Sequence, residues 1–113
     1  MGRGLSLLQM GILRLTLDRG GMLRVRDILE ARWLWKPQAG KEQYDGGQVF
    51  DRASIGAQEY SKAHSTLSRT LGRLRKRGLI QVYKSKYGTA IGLTSAGERE
   101  AAQIHWETEA EAP

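Results

Sequence analysis

The chain has 113 residues, of which 40% are hydrophobic and 27% charged, and a formal net charge of +6. That length supports one domain with a core of its own and leaves little room for a second. Cysteine is absent, which excludes disulfides, thiol catalysis and Cys-based zinc sites and agrees with a reducing, cytoplasmic setting.

The first run, "MGRGLSLLQMGILRL", leans apolar but is broken by Gln9 and Arg14, with Thr16 just beyond. It is too short and too polar to span a membrane, and no small-residue cleavage site follows it. Gly2 and Ser6 match the spacing of a myristoylation signal, a pattern common by chance. The periodicity predicts a helix over 5–18, with Leu5, Leu8, Ile12 and Leu15 on one stripe. Gly20 and Gly21 end it, because two glycines weaken a helix and free the backbone to turn.

A second helix is expected over 24–35, burying Val25, Ile28, Leu29 and Trp33, and Pro37 stops it. Residues 36–51, with Gly40, Gly46 and Gly47, form a turn-rich surface loop. Phe50 and Ile55 bring the chain back to the core. A third helix ends at residue 77, where Arg75, Lys76 and Arg77 complement the helix dipole and Gly78 suits the left-handed position beyond. Its start lies either near Arg52 or after a break at Ser61, which would then be the N-cap.

The runs "LIQVYK" and "TAIGLT", joined by "SKYG", predict a β-hairpin over 79–94 with a cationic tip. "SAGE" at 95–98 has capping-box spacing and opens a last helix running to about Trp106. The acidic tail, 108–113, should fray. The expected fold is therefore a single domain over 1–107, mainly α with a small β-hairpin (α+β).

Charge is segregated along this plan. Between Tyr60 and Gly97 there are eight Lys/Arg and no Asp or Glu; from Glu98 onward there are five Glu and one Arg. Ordinary surface helices intersperse the two signs and gain i,i+4 pairs. A basic middle without acids points instead to a polyanionic partner. The third helix sharpens this. Leu67, Leu71 and Leu74 share one face, flanked by Ala63, His64 and Thr70, while Lys62, Ser65, Arg69, Gly72, Arg73 and Lys76 lie opposite. Thr66 and Ser68 sit at the edges. Cations and short hydroxyls are the groups that contact phosphates and read base edges.

The stretches "RVRDILEAR", "HSTLSRTLGRLRKRGLI" and "KYGTAIGLTSAGE" resemble the winged helix-turn-helix of MarR-like and PadR-like transcriptional regulators, over residues 8–104. Leu93, Thr94 and Gly97 match their Leu-Thr-x-x-Gly signature. The chain departs from the family in two places. Its hairpin lacks the Asp-x-Arg motif usual in MarR-like wings, and the connection between the two motif helices far exceeds the usual few residues.

The resemblance implies sequence-specific double-stranded DNA binding by a small transcriptional regulator, with the third helix in the major groove. Base-edge contact then falls to Lys62, His64, Ser65, Thr66 and Arg69, with Arg69 suited to bidentate contact with guanine, and Ser68 joins the DNA-binding set at the edge of the face. Arg73 and Lys76 would meet phosphate. Arg75 and Arg77 either do the same or only cap the helix. His64 either contacts a base or fills a structural role. Lys84, Lys86 and Tyr87 would form the wing contact to adjacent backbone.

The resembled families also imply a homodimer through the N- and C-terminal helices. Leu5, Leu7, Leu8, Met10, Ile12, Leu13, Leu15 and Leu17 exceed what one buried stripe requires, and the last helix offers Ala101, Ile104 and Trp106; a thicker core under the long loop is the alternative use. Two competing functions share the same module: a replication or partition accessory factor of a phage or plasmid, and a protein-interaction module without nucleic acid. No enzyme is expected. Two histidines, His64 and His105, and acids scattered at the ends give no catalytic or metal-binding constellation, and no Gly-rich loop with a Walker lysine is present. No cofactor is implied.

Overall fold

The computed structural model describes residues 4–40, 49–86 and 88–111, with side chains through Ile104 in the last helix. It is an α+β fold, mostly helical: α1 (Leu7–Asp18), β1 (Met22–Arg24), α2 (Val25–Arg32), α3 (Arg52–Ile55), α4 (Ala57–Lys76), β2 (Ile80–Ser85), β3 (Gly88–Leu93) and α5 (Ser95–Glu111). The three strands form one antiparallel sheet in the order β1-β3-β2.

Helix α1 opens on a capping box. The Gln9 backbone N–H donates to the Ser6 hydroxyl at 3.1 Å, and the Ser6 N–H donates to the Gln9 side-chain carbonyl at 2.7 Å. Gln9 is thus buried as part of the cap, and the buried stripe is Gln9, Ile12, Leu13 and Thr16, with Leu8 and Leu15 only half-buried beside it. The stripe is rotated from the one expected because the buried polar groups bond locally: Thr16 donates to the Ile12 carbonyl at 2.6 Å. Helix α1 packs along α5 and also reaches α4 and the sheet.

The glycine turn at 20–21, with both residues at positive φ, leads into strand β1 rather than straight into a helix. Three residues are too few for a period-two signal, so the strand is invisible to pattern reading. Its place is fixed by pairing: Met22, Leu23 and Arg24 stand opposite Gly92, Ile91 and Ala90. The hairpin expected over 79–94 is therefore two strands of a three-stranded sheet.

Helix α2 starts where Asp27 accepts from the Arg24 backbone N–H at 3.3 Å and grips the Arg24 guanidinium in a two-pronged pair at 3.0 and 3.1 Å. It ends at Arg32, short of the expected Trp35. Leu34 adopts φ 60, a left-handed conformation that no helix can continue through, and the chain then extends towards Pro37. A bridge between Pro37 and Phe50, with the Gln38 N–H donating to the Val49 carbonyl at 2.8 Å, closes the neck of the long connection. Residues 41–48, the middle of the loop expected over 36–51, lie outside the described residues.

Both expected starts of the third helix need correction. A separate short helix, α3, begins at Arg52 behind an Asp51 cap, whose carboxylate accepts from the Ala53 N–H at 3.1 Å and the Ser54 hydroxyl at 2.7 Å. The break then falls at Gly56, φ 102, and α4 starts at Ala57. Ser61 lies inside α4 and caps nothing. At the other end the helix closes with a Schellman motif. The Leu79 N–H donates to the Leu74 carbonyl and the Gly78 N–H to the Arg75 carbonyl, with Gly78 at φ 75. Leu74 and Leu79 are both buried at this junction.

The last helix is capped by Thr94, not Ser95. The Gly97 N–H donates to the Thr94 hydroxyl at 3.0 Å and the Glu98 N–H to the Thr94 carbonyl at 2.8 Å. Helix α5 runs to Glu111, through the segment expected to fray; glutamate and alanine there are good helix formers. The core lies between α1, α2, α4, α5 and one face of the sheet. Ile12, Leu13, Ile28, Leu29, Leu67, Leu74 and Ile91 are its largest fully buried side chains. Among the described residues no helix is long and apolar enough to cross a membrane.

Candidate nucleic-acid interface

Helix α4 is 20 residues long, about 30 Å at the helical rise. Ala63, Leu67, Thr70, Leu71 and Leu74 are buried along one side, which fixes the rotation of the helix. Lys62, Ser65, Ser68, Arg69, Gly72, Arg73 and Lys76 are all exposed on the other. Thr66 is half-buried at the flank, where its carbonyl accepts from the Thr70 hydroxyl at 2.8 Å.

Most of this face's cations lack an acidic partner among the described residues. Ion pairs among the described residues involve Arg14–Asp18, Arg24–Asp27 and Arg26–Glu30; Lys62, Arg69, Arg73, Arg75, Lys76 and Lys84 enter none.

Its cations divide into three groups. Arg69 stands near the middle of the exposed face. Arg73, Lys76 and Arg77 border an open depression beside Gly4, Leu5, Ser6 and Gln9, at the start of α1. Arg75 turns the other way and lines a groove of about 330 Å³ between α4 and the hairpin.

The groove's far wall follows from strand alternation. In β2, Ile80, Val82 and Lys84 share the face turned to α4, and Lys84 stands opposite Thr89 of β3. Val82, Lys84 and Thr89 therefore face Ser68, Gly72 and Arg75 across it. Gln81 and Tyr83 point to the other side of the sheet, where the Tyr83 hydroxyl donates to the Gln81 side chain. Lys86 is exposed at the turn; Tyr87 lies outside the described residues.

His64 does not join the exposed face. It packs into an aromatic cluster, with ring centroids 4.5 Å from Tyr60 and 5.9 Å from Trp35. Trp35 in turn stacks on Tyr60 at 5.3 Å and meets Phe50 edge-on at 5.4 Å. The His64 Nε2 is enclosed and has no hydrogen-bond partner among the described residues. Burial holds its pKa below the ordinary 6.5, because desolvation penalises the charged imidazolium. Of the two readings open for His64, the packing supports the structural one.

No protein-family model, curated protein or solved structure matches the chain.

The chemistry of the surface is nonetheless specific. Guanidinium, ammonium and hydroxyl donors on a straight helix, with a cationic hairpin on one flank, suit a ligand carrying many acceptor oxygens at regular spacing. Thr89 is absent from the residues expected to make contact, and Arg75 is left open there between phosphate contact and helix cap. The position of Arg75 was accessible from the helical wheel, since it follows Ser68 and Gly72 along one stripe. Thr89 depended on the hairpin register, which sequence spacing leaves open.

Proposed function

We propose that the chain is a winged-helix protein that binds double-stranded DNA sequence-specifically, as a small transcriptional regulator. The observation that carries this reading is the exposed face of α4: Lys62, Arg69, Arg73 and Lys76 have no acidic partner among the described residues, and the opposite side is anchored by Leu67, Leu71 and Leu74. The order α1-β1-α2-α3-α4-β2-β3-α5 and the sheet order β1-β3-β2 are compatible with a winged-helix layout that carries the short α3 as an addition.

In this reading α4 enters the major groove, whose width of about 12 Å admits one helix. Lys62, Ser65, Thr66 and Arg69 meet base edges, Ser68 contacts the DNA from the edge of the face, Arg73 and Lys76 meet phosphates, and Lys84 and Lys86 contact adjacent backbone. His64 supports α4 from behind by joining it to Trp35. The protein acts by binding and carries out no reaction.

Duplex operators are commonly read by two-fold dimers, and the terminal helices are the proposed contact. Leu5, Ile12 and Leu13 are buried within the chain, so most of the α1 surplus serves the core; Leu7, 79% exposed, remains for a second copy.

Selection of bound sequences from a random duplex pool tests the proposal. Enrichment of a defined site supports it, and a symmetric site fits the dimer. A pool that stays random after repeated rounds removes sequence specificity.

A further inference from the structure

Gly72 is out of place for the fold's own purposes. Glycine inside a helix is unfavourable relative to alanine, because it gains freedom in the unfolded chain and exposes backbone. Most described glycines repay this by a positive φ. Gly97 is demanded by packing, since a Cβ there would stand 1.9 Å from the Leu79 carbonyl oxygen; one at Gly92 would press on the Met22 sulfur at 2.9 Å and one at Gly11 on the Arg32 guanidinium at 3.3 Å, side-chain ends that would have to shift. At Gly72 neither reason applies. Its φ is not positive, and an added Cβ would meet nothing within 4 Å.

The position of Gly72 supplies a reason outside the fold. It lies in the groove between α4 and the hairpin, beside Ser68 and Arg75 and facing Val82, Lys84 and Thr89. Cations stand on both walls, Arg75 on the helix and Lys84 on the strand, with hydroxyls of Ser68 and Thr89 between them. A groove with donors on both sides and a helix wall lacking a side chain admits an anionic backbone close to the α4 main chain.

Building on the DNA-binding reading, we infer that this groove seats one sugar–phosphate strand of the duplex, and that Gly72 is where the strand comes closest to α4. Arg75 and Lys84 hold the same strand from opposite sides. Arg75 is thereby a phosphate contact, not only part of the helix cap. The strand's position sets how deeply Arg69, one turn away, reaches towards the bases, so Gly72 is a positioning residue.

The test is Gly72→Ala, measured by thermal melting and by binding of a labelled random-sequence duplex at about 50 mM salt. Alanine favours the helix and clashes with nothing inside the protein, so Tm should rise by about 2–6 °C. The added methyl intrudes on the strand, so duplex affinity should fall about fivefold or more. Stability and binding move in opposite directions, which misfolding cannot imitate. Arg75→Gln and Lys84→Gln should each reduce the slope of log K against log salt by about one.

Affinity unchanged in Gly72→Ala overturns the seat, as does a fall in Tm, which would assign the glycine to the fold. Wild-type protein that retains no duplex overturns the DNA-binding reading beneath it, and is distinguishable because no variant is then needed.

Discussion

The Thr94 hydroxyl donates to the Gly78 carbonyl at 2.6 Å, tying the exit of the hairpin to the end of α4. The same oxygen accepts from the Gly97 N–H at 3.0 Å and so caps α5. One side chain therefore fixes three elements at the base of the hairpin. Thr94→Ala removes both bonds and should destabilise the protein by about 1–2 kcal/mol, whereas Thr94→Ser keeps the hydroxyl and should lose much less. Chemical denaturation of the two variants measures the difference.

Gly97 is fixed by the same junction. An added Cβ would lie 1.9 Å from the Leu79 carbonyl oxygen, and backbone on both sides has nowhere to retreat. Gly97→Ala should cost about 3 kcal/mol or more, although alanine is the better helix former. A melting temperature equal to wild type would show that α5 does not press on the hairpin in this way.

His64 makes stability depend on pH. Its folded pKa lies below the ordinary 6.5 through burial, so the unfolded chain takes up the proton first as pH falls. The stabilisation is complete above the unfolded value and is lost as pH drops from there towards the folded pKa. The His64 imidazole shares a cleft with Arg24, Arg26 and Tyr60, and the two guanidinium groups offer it no counter-charge. Melting temperature should decline from about pH 7 to about pH 5. His64→Phe, which keeps a ring against Trp35 and Tyr60, should flatten that decline. An equal decline in the variant would move the titration to another group.

Arg69 and Arg73 differ in their place on α4, and their substitutions should differ in kind. Arg69→Ala should cost about 1–3 kcal/mol at one base pair and relax preference there; Arg73→Ala should weaken all duplexes alike and reduce the salt slope by about one. Affinity profiling of both variants against single-base substitutions of a selected site separates the two effects. Losses that are uniform across sequences for both would leave α4 gripping backbone alone.

Much of this architecture was legible in the sequence, and the exceptions have physical causes. The leucine spacing at 67, 71 and 74 fixes the buried side of α4 and therefore its cationic face, because helical geometry admits no other assignment. Gly78 marks the helix end for the same reason, as a left-handed residue followed by a buried Leu79. Strand β1 was not legible: three residues carry no alternation, and only their pairing with Ala90, Ile91 and Gly92 defines them. The start of α4 was obscured because Ser61 and Arg52 both look like boundaries while the break is the backbone of Gly56. His64 carried no mark of its aromatic surroundings, since Trp35 reaches it from before the long connection. The groove at Gly72 depends on which side of the hairpin Lys84 occupies, a matter of register.

The most direct test of the central claim is a salt titration of duplex binding by the intact protein. If α4 and the hairpin engage about six to ten phosphates, log K should fall linearly with log salt, losing about 10³- to 10⁵-fold between about 50 and 200 mM. Protein that fails to retain labelled duplex at the lowest salt, or whose binding is indifferent to salt, would contradict the account.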